Sequence, residues 1–297
     1  MRIGIDLGGT KTEIVALDEH GATLFRQREA TPAHSYETIL EVIARLVTLA
    51  EQSAGRAESI GIATPGAISP RTGLLKNSNT RVLNDRPLDR DLTDRLQRPV
   101  RLENDANCLA LSEATDGAAA SVHVVFGVIL GTGVGGGIVV GRQLVSGRNR
   151  IAGEWGHNPL PWARDGELSG HACYCGKIGC IETFLSGAGL AHDYFSRTGR
   201  RYAAEQVSRA AASGDGQARD CLQTYKDRLA RSLASVVNIM DPEAVVLAGG
   251  LSNITELYLG LPQLIADYAF SDGLDTLVVP ALHGDSSGVR GAARLWN

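Results

Sequence analysis

Three short runs between Glu154 and Glu182 together carry one imidazole, three thiols and two carboxylates: Glu154-Trp155-Gly156-His157, then Cys173-Tyr174-Cys175, then Cys180-Ile181-Glu182. His157, Cys173, Cys175 and Cys180 make up the donor set of a tetrahedral zinc shell. A closed shell of this kind is structural, because no coordination position is left for water or substrate. The Cys-x-Cys-x4-Cys spacing in a Gly-rich turn, with a histidine in range, favours zinc over unliganded thiols. Disulfides need an oxidising setting, whereas Met1 enters a strand pattern at once with no signal sequence ahead of it. Cys108 and Cys221 lie in helix-like stretches and are expected to be core residues.

Three glycine turns, each directly after an apolar strand, carry the second chemical signal: Gly8-Gly9, Gly131 to Gly137, and Gly249-Gly250. Without a Cβ, backbone N–H groups can approach a phosphate and the chain can take positive φ. A single Gly-Gly tip is more often only a tight turn; three after buried strands point to phosphate binding. Gly4 to Thr12 is not a Walker A loop, since Thr10 rather than Gly precedes Lys11. Gly131-Thr132-Gly133-Val134-Gly135-Gly136 satisfies G-x-G-x-x-G, but Ile138-Val139-Val140 continues as strand rather than helix, which argues against a Rossmann site.

The elements that must position these residues read as an alternating α/β chain. Ile3 to Leu7 and Lys11 to Leu17 form a glycine-tipped hairpin. From the N-cap Ser35, the apolar residues Ile39, Leu40, Ile43, Leu46, Val47 and Ala50 keep helical spacing up to Gly55. Ser59 to Ala63 and Val100 to Leu102 are short strands, and a helix follows from Asn107 to Ala114. The residue types allow Asp105, between that strand and that helix, to be either a helix N-cap or a general base. A second cycle has strand Val124 to Leu130, a turn over Gly131 to Gly137, and strand Ile138 to Val140. Gly4 to Thr10 set beside Gly127 to Gly133 shows a weak internal repeat, implying two similar domains. A helix through Leu229, Leu233, Val236, Val237 and Met240 stops at Asp241-Pro242. Strand Ala244 to Ala248, a helix from Ser252, and a helix-like stretch from Ser286 to Trp296 complete the chain.

Bulk properties narrow the function classes. At 297 residues the chain suits two domains. A net charge of -4 and the lack of a Lys/Arg block argue against nucleic acid as main partner. No apolar run reaches the ~20 residues of a membrane helix, and a cytoplasmic enzyme is expected.

Asp6-Leu7-Gly8-Gly9-Thr10 resembles the first phosphate motif of the actin, hexokinase and heat-shock ATPase superfamily. Leu130-Gly131-Thr132-Gly133 resembles its second, and Val245-Val246-Leu247-Ala248-Gly249-Gly250 its adenosine motif. With Glu154-Trp-Gly-His157 and the Cys-x-Cys-Gly-x-x-Gly-Cys-x-Glu run, the resemblance narrows to ROK (repressor, open reading frame, kinase) sugar kinases and spans Ile3 to Trp296. Residues 153 to 162, Cys173 to Lys177 and His283 to Ala293 are most similar to bacterial fructokinases of the manno(fructo)kinase type.

This resemblance implies two ribonuclease-H-like domains around a central cleft with a structural zinc loop: 1–118 plus 285–297, and 119–284. It implies ATP-dependent phosphorylation of a hexose, with fructose expected and N-acetylglucosamine, N-acetylmannosamine, glucose or mannose as alternatives. ATP and Mg²⁺ would be held by Gly4, Ile5, Asp6, Leu7, Gly8, Gly9, Thr10 and Lys11, by Gly131, Thr132, Gly133, Val134, Gly135, Gly136, Gly137, Ile138, Val139 and Val140, and by Gly249 and Gly250. Asp6 would carry Mg²⁺ through water. Asp105 would be the catalytic base beside Asn104. Glu154, His157, Glu182 and Asn79 would complete the sugar site, His157 also binding zinc. A homodimer is usual in the family. A DNA-binding repressor is not expected, because Asp6 comes too early for a helix-turn-helix ahead of it; a non-catalytic sugar sensor is the other class.

Overall fold

The computed structural model describes residues 1–296, which fall into two compact units: Met1–Ser121 with Gly137–Gly153 and the C-terminal stretch from Asp285, and Val122–Gly136 with Glu154–Gly284. In the first unit, β1 (Arg2–Leu7), β2 (Lys11–Leu17), β3 (Thr23–Ala30) and β4 (Ser59–Thr64) are followed by a small ribbon, β5 (Ala67–Ile68) and β6 (Leu75–Lys76), and by β7 (Val100–Asn104). The five-stranded sheet runs β3-β2-β1-β4-β7, antiparallel through β1, β2 and β3 and parallel through β1, β4 and β7. Ile3, Ile5 and Leu7 are buried in the same core as the apolar stripe of α1 (Tyr36–Ala54), whose Ser35 cap accepts from Thr38 N. The helices α2 (Leu88–Leu96) and α3 (Asp105–Thr115) flank β7 in the chain.

The C-terminal helix, Ser287–Ala293, sits directly on β1 and β4. A Cβ on Gly4 would lie 2.0 Å from Val289 O, and one on Gly61 would lie 1.9 Å from Ala292 O. Glycine at these points is a packing requirement, because any side chain would push the helix off the sheet.

A second five-stranded sheet repeats the plan. β8 (Val124–Leu130), β9 (Val134–Val140), β10 (Gln143–Leu144), β11 (Ala244–Ala248) and β12 (Leu277–Pro280) order as β10-β9-β8-β11-β12, with β8, β11 and β12 parallel. This matches the first sheet strand for strand, as the internal repeat implies. The helices of the second unit are α4 (Ile181–Leu185), α5 (Gly187–Thr198), α6 (Ala204–Ala212), α7 (Gly216–Met240) and α8 (Leu261–Ala266). Fully buried Arg231 of α7 donates to the carbonyls of Pro161 and Trp162 at 2.9 and 2.8 Å and to Glu167 at 3.0 Å, fixing the segment just after His157. No described helix is long and apolar enough to cross a membrane.

The structure departs from the sequence reading at five points. β3 was not anticipated: its charged, alternating residues belong to an edge strand, where Arg26 and Arg28 both donate to buried Glu13. The turn expected over Gly131 to Gly137 is confined to its first three residues, and β9 starts at Val134. Residues 137–153 group with the first unit rather than the second, because Gly137 lies against the backbone of Ala106 and Asn107 and β10 packs on α3. Beyond Gly250 the chain forms short 3-10 turns, Gly250–Asn253 and Thr255–Leu257, instead of a helix from Ser252, and the C-terminal helix ends at Ala293 rather than Trp296.

Candidate active site and metal cluster

Asn104 and Asp105 occupy the junction of β7 and α3. Asn104 Oδ1 accepts from Ala106 N at 2.9 Å and from Asn107 N at 3.4 Å, so Asn104, and not Asp105, is the N-cap. The capping alternative for Asp105 is thereby reduced: it stands one residue inside the helix, where Oδ1 also accepts from Ala106 N at 2.8 Å. Asn104 Nδ2 points toward Gly66 O at 3.5 Å and keeps donor capacity.

Asp6 stands at the end of β1. Its carboxyl is pushed up to about 7, first by burial, then by the charges of Asp105 and Glu13, with Lys11 and Arg28 opposing. Such a carboxylate gains from a divalent cation, and its donor chemistry fits Mg²⁺, a hard ion that takes oxygen ligands. Gly288 leaves room beside it: a Cβ there would come within 3.3 Å of Asp6 Oδ2. The adjoining turn closes with Gly8 N donating to Lys11 O at 3.0 Å. A Cβ on Gly9 would meet Thr80 Oγ1 at 3.3 Å and Asn79 Oδ1 at 3.9 Å, which places Asn79 beside this turn. Thr10 and Lys11 are exposed there.

Several residues expected to hold nucleotide do other work. Ile5, Leu7 and Val139 are buried side chains, and Gly4 and Gly137 are close-packing positions. Gly135, Gly136, Ile138 and Val140 are ordinary positions of β9. The part of the second motif that forms a turn is Gly131-Thr132-Gly133, closed by Gly131 N donating to Gly133 O at 3.0 Å. Gly249, at φ 86°, comes directly after β11 and abuts the Leu130 backbone, while Gly250 is open.

In the second unit the metal donors converge. The ligand atoms of His157, Cys173, Cys175 and Cys180 all lie within 4.8 Å of one another. His157 Nδ1 is 3.6 Å from Cys173 Sγ, and Cys175 Sγ is 3.6 Å from Cys180 Sγ. A tetrahedral shell with Zn–S of ~2.3 Å and Zn–N of ~2.0 Å requires donor separations of about 3.5–3.8 Å, so the donor set fits zinc. Burial pushes the Cys173 thiol up and the Cys180 thiol up to about 12, whereas the Lys177 N–H holds Cys175 down. Cys108 and Cys221 are buried free thiols, as expected.

His157 belongs to a one-turn 3-10 helix, Trp155–His157, clamped onto β9: Trp155 Nε1 donates to Gly135 O at 3.0 Å, and Gly156 is pressed against Val134 O. Its Nε2 lies 3.1 Å from the Tyr174 hydroxyl. That hydroxyl is pushed up to about 12, first by partial desolvation and then by the negative charges of Glu182 and Glu154. Glu182 Oε2 accepts from Val134 N at 3.0 Å, and its Oε1 is 3.9 Å from Cys173 Sγ. Glu182 therefore joins the second hairpin to the metal loop, a task that its reading as a sugar ligand did not foresee. Tyr174 was also missed, although a side chain held between two ligand cysteines is bound to be displayed.

Comparisons of sequence and structure with known proteins agree with the fold. A family model described as the ROK family matches residues 2–297. An N-acetyl-D-glucosamine kinase of Histophilus somni (strain 129Pt) is 37% identical over 100% of this chain and 99% of its own. The crystal structure of a ROK hexokinase from Thermus thermophilus superposes with a TM-score of 0.87 at 33% identity, covering 98% of this chain and 96% of that one. A ROK family glucokinase from Streptomyces griseus, in complex with glucose and AMPPNP, gives 0.79 at 29% identity, covering 99% and 98%. Fructose finds no support in these relatives. The residues behind that expectation have structural settings: Trp155 packs edge-on against Phe126, Trp162 stacks on Tyr268, and Asn158 is exposed.

Proposed function

The chain belongs to the ROK family, has its hexokinase-like α/β fold and is an ATP-dependent sugar kinase, and we propose that its acceptor is N-acetyl-D-glucosamine. The observation that carries this reading is the whole-length identity to an N-acetyl-D-glucosamine kinase.

Phosphoryl transfer asks a protein chiefly for positioning and charge stabilisation. Asp105 accepts the proton of the attacking sugar hydroxyl as the bond from that oxygen to phosphorus forms. Asn104 spends its Oδ1 on the helix cap, which leaves its Nδ2 to donate to the sugar. Glu154, His157 and Glu182 offer further polar groups, and Asn79 is a weaker candidate. A buried sugar hydroxyl without a partner costs binding, so such groups discriminate by hydrogen bonding. The N–H groups of the Gly8-Gly9-Thr10 and Gly131-Thr132-Gly133 turns, with Lys11, receive phosphates. Mg²⁺, when bound, neutralises phosphate charge, and Asp6 is the residue to hold it. Zinc on His157, Cys173, Cys175 and Cys180 would cross-link the loop and fix the His157 ring.

The test is Mg-ATP-dependent phosphorylation of N-acetylglucosamine, N-acetylmannosamine, glucose, mannose and fructose, side by side. The highest kcat/KM is expected for N-acetylglucosamine. A higher value for any other sugar reassigns the acceptor, and no turnover of any of them overturns the reading.

A further inference from the structure

Glu103 is a buried carboxylate on which four donors converge. Its Oε1 accepts from Asn104 N at 3.0 Å and from Asn107 Nδ2 at 3.1 Å; its Oε2 accepts from Ser146 Oγ at 2.6 Å and from Arg150 Nη1 at 2.9 Å. The first pair belongs to the β7–α3 junction that presents Asn104 and Asp105. The second belongs to the loop after β10, within the same compact unit. Glu103 is only 6% exposed, whereas the Arg150 side chain is 48% exposed. The ion pair contributes little by itself, since solvent screens its outer partner. What the carboxylate supplies is four acceptor sites at one buried point.

Both ends need that point. Asn107 Oδ1 is buried without a protein partner among the described residues, which leaves the bond to Glu103 as the anchor of its side chain. Arg150 sits at φ 55°, in the left-handed region that disfavours a non-glycine residue, and such a conformation persists only where its surroundings hold it. A carboxamide cannot replace the carboxylate. Asn104 N–H and the Arg150 guanidinium are donors only, so a glutamine oxygen can serve one side while its NH2 faces a donor on the other.

We propose that Glu103 is a positioning residue for phosphoryl transfer: it sets the Asn104–Asp105 corner and ties it to the Ser146–Arg150 loop, without touching substrate. This rests on the sugar-kinase reading, with Asp105 as base. A base displaced by a fraction of its bond length to the acceptor hydroxyl loses rate more than binding.

The experiment compares wild type, Glu103→Gln, Ser146→Ala, Arg150→Met and the two double variants with Glu103→Gln. It measures kcat, KM for N-acetylglucosamine and for Mg-ATP, the melting temperature, and amide hydrogen exchange. Glu103→Gln is expected to lower kcat about tenfold or more while KM for ATP stays within about twofold. The loop variants should lose less, and their losses should not add to that of Glu103→Gln. Unchanged kcat in folded Glu103→Gln, additive losses, or a loss that tracks only the folded fraction would overturn the proposal. If wild type turns over no sugar, the kinase reading fails on its own and hydrogen exchange decides this one. Faster exchange in Glu103→Gln at 104–107 or 146–152, with the melting temperature held, upholds the tie; unchanged exchange at both removes it.

Discussion

The turn at Gly8–Lys11 and the turn at Gly131–Gly133 each close with a 3.0 Å backbone bond, Gly8 N to Lys11 O and Gly131 N to Gly133 O, at equivalent corners of two sheets with the same strand order, yet they are supported differently. The first is held by its own sheet. Thr31 Oγ1 donates to Gly8 O and meets Thr12 Oγ1, both at 2.8 Å, and Thr31 N donates to Thr10 O at 3.0 Å. The second is held by α4 and α5, the helices directly after the metal loop: Glu182 accepts from Val134 N, and Gly187 N donates to Gly131 O at 2.8 Å. A duplicated backbone thus has one turn held from its own sheet and one held from the helices that follow the His157, Cys173, Cys175 and Cys180 cluster.

Metal removal should break this comparison most strongly. Chelation, or Cys175→Ser, forfeits much of the ~10–16 kcal/mol of apparent binding energy that structural zinc sites can supply. Elemental analysis of wild type should give zinc, and hydrogen exchange after chelation should quicken at 131–134 while 8–11 stays protected. Equal loosening of both turns would contradict the difference in support.

Asp6→Asn should give the next largest effect, of a few kcal/mol in pH-dependent stability. The folded pKa of Asp6, about 7, is raised above its ordinary 3.8, so its contribution is full below pH 3.8 and is lost as pH rises toward 7. Melting curves of the ligand-free protein should show wild type losing stability relative to Asp6→Asn across that window. Added Mg²⁺ should reduce the difference; parallel curves would deny the shift.

Glu182→Ala leaves Val134 N–H without its acceptor and should cost about 1–3 kcal/mol, read as a lower melting temperature together with a higher KM for ATP. Thr31→Val removes one hydroxyl from the first turn and should cost about 1 kcal/mol with zinc content unchanged. A larger effect from Thr31→Val than from Glu182→Ala would reverse the order of dependence.

Much of the fold was legible because burial writes itself into sequence. β11 is an unbroken apolar run and β8 is interrupted only by Gly127, and both have the boundaries that the pattern sets. The α1 stripe and its Ser35 cap were equally plain. β3 was hidden because an edge strand that pairs Arg26 and Arg28 with Glu13 carries no apolar run of its own. Gly135 to Gly137 suggested a turn, since local sequence does not tell a glycine that bends from one that lets α3 approach a strand. At the site, the convergence of His157, Cys173, Cys175 and Cys180 was readable from residue type and spacing, whereas residue type left Asp105 open between cap and base and only the family resemblance singled out the Asn104–Asp105 corner. The work of Glu182, Glu103 and Tyr174 was not, because each depends on a partner far away in the chain or on the side chain's direction.

The most direct test of the central claim is the rate of N-acetylglucosamine phosphorylation by Asp105→Asn at saturating Mg-ATP, with sugar binding measured alongside by calorimetry. The account predicts that sugar still binds and that kcat falls by about 10²–10⁴-fold, the contribution of a positioned general base. Turnover within a few-fold of wild type would contradict it.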